Sequence, residues 1–206
     1  MFWYLLAGFG LSFLGSIPLG LITLTIIERT VHRGMWSGVA VSLGASIAEF
    51  VYTVIALKFL SFFIAEDDFG DKIKLFSIFI FLGLGLWYLL RINSPSITIK
   101  SVLFRHYYYD FFKGLIIGFM NLLIIPYWIL VGSMLESNGM LFSENQVIVI
   151  FSGAAVAGAL SVFLIYVRLV RIIVRKIKLV IQYTNRAVGI LFFLLALFQA
   201  SSLLFD

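Results

Sequence analysis

The 206-residue chain has no cysteine, only two histidines and three prolines, and only 12% of its residues carry charge. Without cysteine there is no disulfide, no thiolate metal site and no thiol chemistry. His32 and His106 are too few for an imidazole cluster, so metal binding and cofactor chemistry are disfavoured and no cofactor is expected. The scarcity of charge has the larger consequence. Hydrophobic residues make up 62% of the chain and mean hydropathy is +1.10, more apolar side chains than a soluble domain of this size can enclose. An all-α integral membrane protein is expected, because the apolar runs approach the ~20 residues of a membrane helix and lack the ~10-residue alternation of barrel strands. Met1 to Tyr4 lacks the basic start of a signal peptide, so the first run reads as a retained span.

Six spans are expected, at about 2–27, 35–64, 73–90, 111–135, 146–167 and 187–204. The acidic stretch 66–71 lacks the ligand spacing of a calcium loop and reads as a solvated connection. Between spans three and four, about 91–110, Asn93-Ser94-Pro95-Ser96 is turn chemistry, and Tyr107 to Tyr109 beside Arg105 and His106 suit the headgroup region. The net charge of +5 invites a nucleic-acid reading. However, the basic residues fall between apolar spans, where they set topology; Arg168, Arg171, Arg175, Lys176 and Lys178 mark a helix end facing anionic lipid. Twelve of the 15 Lys and Arg then share one face, so the positive-inside rule makes that face cytoplasmic and both termini extracytoplasmic.

Two spans contain a proline at membrane depth, where lipid cannot replace the lost hydrogen bond. Pro18 lies among the small residues Gly8, Ser12, Ser16 and Gly20, which recur every fourth position and allow close helix approach. Pro126 in span four has Asn121 a little over a turn before it. In span two a run of small residues leads to Glu49 and Tyr52. A charge at that depth costs at least about 2.5 kcal/mol on insertion scales, so Glu49 should face a cavity or a partner. It can do so as a hydrogen-bonded structural group, or by exchanging a proton or pairing with a substrate ammonium. The halves overlay with Pro18 on Pro126, Gly44 on Gly153 and Gly83 on Gly189, at offsets of 108, 109 and 106. Three spans per half make the second half inverted, so one membrane domain of 1–206 is expected, with repeats at about 1–92 and 111–206. Transporters of that build place their site where interrupted helices meet near the midplane. Ser16, Pro18, Gly20 and Glu49 are therefore candidates for the substrate or ion pathway, with Tyr52, Asn121 and Pro126.

In length, span number and the placing of these residues, the chain resembles the lysine exporter and homoserine/threonine efflux family (LysE/RhtB). Pro18-Leu19-Gly20 resembles the first part of that family's Pro-Gly-Pro segment in helix one. Gly44-Ala45-Ser46-Ile47-Ala48-Glu49 resembles its Gly-rich second helix with an acidic residue. Ile125-Pro126, with Asn121 earlier, stands where the family has an Asn-Pro pair. The resemblance implies export of amino acids or close derivatives across the bacterial cytoplasmic membrane, coupled to a proton or other ion gradient. The expected partners are thus a small-molecule substrate, a coupling ion and the bilayer, with a homo-oligomer allowed and no nucleic acid. A metal-ion exporter would instead need clustered carboxylates or imidazoles within the spans. A membrane-embedded enzyme would need a nucleophile or paired acids, and a non-transporting assembly protein would move no solute.

The absence of cysteine permits a direct test of topology. A cysteine placed at Ser137 is expected to react with an impermeant maleimide in intact cells, while one at Ser96 reacts only after lysis. The opposite pattern would invert the assignment.

Overall fold

The computed structural model describes residues 1–64, 70–90, 106–140, 142, 144–175 and 177–205. The acidic stretch at 66–69 and the first part of the linker, 91–105, lie outside the described residues. Eight helices form among those described: α1 (Phe2–Ser16), α2 (Leu21–Arg33), α3 (Met35–Ile64), α4 (Gly70–Leu90), α5 (Tyr107–Met120), α6 (Ile124–Ser137), α7 (Asn145–Arg175) and α8 (Ile177–Phe205).

The first and fourth expected spans are each broken into two. α1 and α2 meet at 72°, and α5 and α6 at 61°. Pro18 lies inside the first break. It has no N–H to donate, and its carbonyl accepts the Gly20 amide at 2.9 Å and the Thr23 hydroxyl at 3.2 Å. The second break falls at 121–123, earlier than Pro126, which occupies the third position of α6. A proline ring crowds the carbonyl four residues before it, here that of Leu122, so the helix fails one turn upstream of the proline. The Leu122 carbonyl instead accepts the Ile125 amide in a tight turn at 3.3 Å.

The carbonyls left over at these breaks are taken up by tyrosines from the two long helices. Tyr52 of α3 donates to the Phe119 carbonyl at the end of α5 at 2.5 Å, and Tyr166 of α7 donates to the Ile17 carbonyl at the end of α1, also at 2.5 Å. Tyr127 of α6 donates to Leu11 of α1 at 2.9 Å. Away from water, an unpaired carbonyl is costly, so the hydroxyls of Tyr52 and Tyr166 make the broken helices tolerable at membrane depth, while Tyr127 adds a bond between α6 and α1.

α3 and α7 cross at the centre, α5 packing along α3 and α1 along α7. Both lateral contacts bring backbone against backbone. A side chain at Gly44 of α3 would run into the Phe111 carbonyl and the Leu115 amide of α5; one at Gly158 of α7 would meet the Phe9 carbonyl and the Phe13 amide of α1. Apolar side chains of α2, α6, α3 and α7 fill the space between. α4 and α8 pack mainly on each other and join the remainder through Phe81, Leu130, Leu195 and Ala196.

α3 over Met35–Leu60 and α7 over Asn145–Val174 are long and apolar enough to cross a membrane, and each bent pair passes the same test taken as one span. α4 and α8 contain the shorter apolar stretches Ile78–Leu90 and Gly189–Phe198. Large apolar side chains such as Leu43, Ile47 and Ile55 face outward, as a lipid-embedded protein requires. At one end, Arg29 and Arg33 of α2 both reach Asp110 Oδ1 in the first turn of α5 at 3.4 Å, and Lys113 lies 3.6 Å from Glu28. Asp110 is buried, so this cluster ties the outer end of one broken span to that of the other.

Tyr52→Phe and Tyr166→Phe should each lower the thermal stability of the purified protein by comparable amounts. The scale is about 1–3 kcal/mol for a buried acceptor left unpaired. Tyr183→Phe, at an exposed position of α8, should leave stability unchanged. Unaltered melting of both buried variants would contradict the assigned role of these hydroxyls.

Candidate functional site

The two breaks and the middle of α3 enclose a cavity of about 330 Å³. Its floor is Glu49 of α3, the only charged side chain among the described lining residues. Two donors hold the carboxylate: Ser12 Oγ of α1 at 3.4 Å and Trp128 Nε1 of α6 at 3.1 Å. Both bonds fall on Oε1, and Oε2 has no hydrogen-bond partner among the described residues. Glu49 is 8% exposed and lines the cavity, so its accessible surface is turned to the interior of the protein rather than to lipid. Among the described residues, no lysine, arginine or histidine lines the cavity to balance it, and a cationic group entering the site would meet an acid already oriented by two donors.

The break between α1 and α2 supplies the opposite polarity. α2 begins at Leu21 behind an N-cap glycine, Gly20, with no side-chain cap. The first amides of a helix have no intrahelical acceptor and carry the positive end of its dipole. Here those residues, Leu21, Ile22 and Thr23, line the cavity. The start of α6 is chemically different. Ile124 and Ile125 donate to Asn121 and Leu122 at 3.3 Å, Pro126 has no N–H, and Tyr127 donates to Leu123 at 3.2 Å. Of the two interrupted helices, α2 is the one whose start offers free donors.

Of the residues singled out in the sequence, Ser16, Pro18, Gly20, Glu49 and Asn121 line this one cavity, whereas Tyr52 and Pro126 do not. Tyr52 stands three residues beyond Glu49 on α3, with its hydroxyl committed to the Phe119 carbonyl. Pro126 acts at a distance, by forcing the break that exposes Asn121. Ser12, Trp128 and the aromatic wall were not legible as site residues. A tryptophan two residues after Pro126, inside an apolar run, was the available signal, since an indole N–H at membrane depth needs an acceptor and Glu49 is the acid there. Trp87 and Tyr88 of α4 line the cavity with Phe192 of α8. Among the described residues no group of three or more His, Cys, Asp or Glu is placed to hold a metal ion.

Comparison with known proteins bears on this arrangement. A Bacillus subtilis (strain 168) protein named "Putative amino acid efflux protein YcgF" is 26% identical over 151 residues, which cover 73% of this chain and 70% of that protein. No solved structure matches the fold. The profile of the LysE type translocator family matches residues 13–202, a range that takes in both helix breaks, Glu49 and every described residue lining the cavity except Ser12. On that match the chain belongs to the LysE type translocator family.

Proposed function

We propose that the protein is a secondary transporter that exports amino acids or their derivatives across the bacterial cytoplasmic membrane, driven by an ion gradient for which Glu49 carries the proton. The observation that carries this reading is the pairing, in one cavity, of the uncapped start of α2 with the unpartnered oxygen of Glu49. A free amino acid is a carboxylate and an ammonium a short distance apart, and these are the two polarities on offer. Because Glu49 has to be ionised to hold an ammonium and neutral to carry a proton, the two ligands compete for one group. That competition couples the two ligands when the site changes access only with one of them bound.

Alternating access follows from an inverted repeat of α1 to α4 and α5 to α8, with both termini outside and the basic ends of α2 and α5 in the cytoplasm. Two independent contacts support that relation. The bonds from Tyr52 to Phe119 and from Tyr166 to Ile17 are one contact displaced by 114 on the tyrosine side and 102 on the carbonyl side. The close approaches of Gly44 to Phe111 and Gly158 to Phe9 carry the same two displacements. In α4 and α8 the counterparts are Gly85 and Gly189, each of which would place a side chain against the other's carbonyl. Gly83 and Gly153, the partners suggested by sequence spacing, approach no neighbouring atom.

Purified protein in liposomes loaded with amino acids should release solute faster when a proton gradient is imposed. Glu49→Gln keeps the shape and most of the hydrogen bonding but removes the charge. It should lower coupled export at least about tenfold, modest beside the cost of a charge at this depth, and leave folding intact. Release no faster than from empty liposomes, for every amino acid, would contradict export. Wild-type rate and pH dependence in the variant would remove Glu49 from the mechanism.

A further inference from the structure

Glu49 and the first amides of α2 match the parts common to every amino acid, and much of the remaining lining, including Leu84, Leu123, Phe163 and Phe192, is apolar, with the uncharged Ser16 and Asn121 beside it. We propose that the transported amino acids are those with uncharged, apolar side chains, branched aliphatic or aromatic, and that Trp87, Tyr88 and Phe192 determine this preference. The inference rests on the export reading above and names the class of substrate for that same site.

The inventory of charge is the first ground. Glu49 can pair with one ammonium, and the amides of Leu21 to Thr23 can receive one carboxylate. Beyond them, no charged side chain lines the cavity among the described residues. A lysine would bring a second ammonium and a glutamate a second carboxylate, each left without a countercharge at membrane depth. The second ground is the wall opposite. α4 and α8 contribute Leu84, Trp87, Tyr88 and Phe192. The Trp87 and Tyr88 rings meet edge to face at 5.2 Å, Tyr88 stacks on Phe192 at 5.9 Å, and Phe81 braces Phe192 from behind at 5.8 Å. Rings locked against one another in this way form a firm apolar surface at little cost in side-chain freedom. The third ground is size. About 330 Å³ lies near the lower end of the roughly 300–1,000 Å³ typical of ligand pockets, room enough for one amino acid.

The aromatic wall belongs to the α4–α8 pair, whereas Glu49 belongs to α3 and the free amides to α2. α4 and α8 are joined to the remaining helices by few contacts. Binding of the common ammonium and carboxylate is thereby separated from recognition of the side chain, and substitutions on α4 or α8 alter preference without touching the acid.

Counterflow into liposomes containing the purified protein tests this with radiolabelled leucine, phenylalanine, alanine, lysine and glutamate. Leucine and phenylalanine should exchange at least about tenfold faster than lysine or glutamate, within the range that pocket contacts confer. Phe192→Ala and, separately, Tyr88→Ala should lower the preference for leucine over alanine severalfold. Because the readout is a ratio within one preparation, partial loss of folded protein does not affect it. Lysine or glutamate exchanging as fast as leucine would overturn the inference and leave the export reading standing. An unchanged leucine preference in both variants would overturn the role of the wall. Exchange of no amino acid at all would overturn both readings together.

Discussion

A helix interrupted inside a bilayer leaves carbonyls and amides that lipid cannot bond, and the fold depends on how those groups are disposed of. Two breaks occur among the described residues, and the solutions at their two sides differ. The carbonyls that end α1 and α5 are closed by tyrosines reaching from α7 and α3. Those hydroxyls fix where each long helix must lie relative to the broken one, and Gly44 and Gly158 let the backbones come close enough for them to reach. The amides that start α6 are closed by its own turn and by a proline, but those that start α2 are left to the cavity. Of the two helices that restart after a break, α2 alone keeps free donors, which suits the proposed binding site.

Glu49 obeys the same constraint in the form of charge. It is held by Ser12 and Trp128 on a single oxygen, from helices belonging to opposite halves of the chain. A change in the spacing of those halves therefore changes the environment of the acid directly. The buried Asp110 with Arg29 and Arg33 ties the halves a second time, at the ends of α2 and α5. On the proposed alternating-access reading, rearrangement of the halves about the cavity would act on both polar links.

Much of this was legible before any coordinates. The helical membrane class follows from hydropathy, Glu49 from the cost of a charge in an apolar run, and the interruption at Pro18 from the missing amide. Other features lay beyond a reading of one chain for clear physical reasons. A proline breaks the turn before itself, so Pro126 pointed to the second span but not to residues 121–123. The bond from Tyr52 to Phe119 joins residues far apart in sequence, and nothing local to either marks it. For Trp87, Tyr88 and Phe192, an aromatic at a helix end suits an interface and a cavity wall equally; only the packing of α4 on α8 decides between them. The proposed repeat was suggested in the sequence by a pattern of glycines. Its contacts, though, run through Gly158 and Gly85, because close backbone approach, not spacing along the chain, selects the residues that must stay small.

The central claim is that a substrate amino acid occupies the space between the start of α2 and Glu49. Asn121 lines that space, and the chain has no native cysteine. The most direct measurement is the rate at which an Asn121→Cys protein, purified and active, is alkylated by a small maleimide with and without amino acid. The account predicts that a transported amino acid slows alkylation severalfold, and that the protection disappears when Glu49→Gln is added. Alkylation indifferent to the amino acid in a protein that still transports it would contradict the account and place the substrate elsewhere.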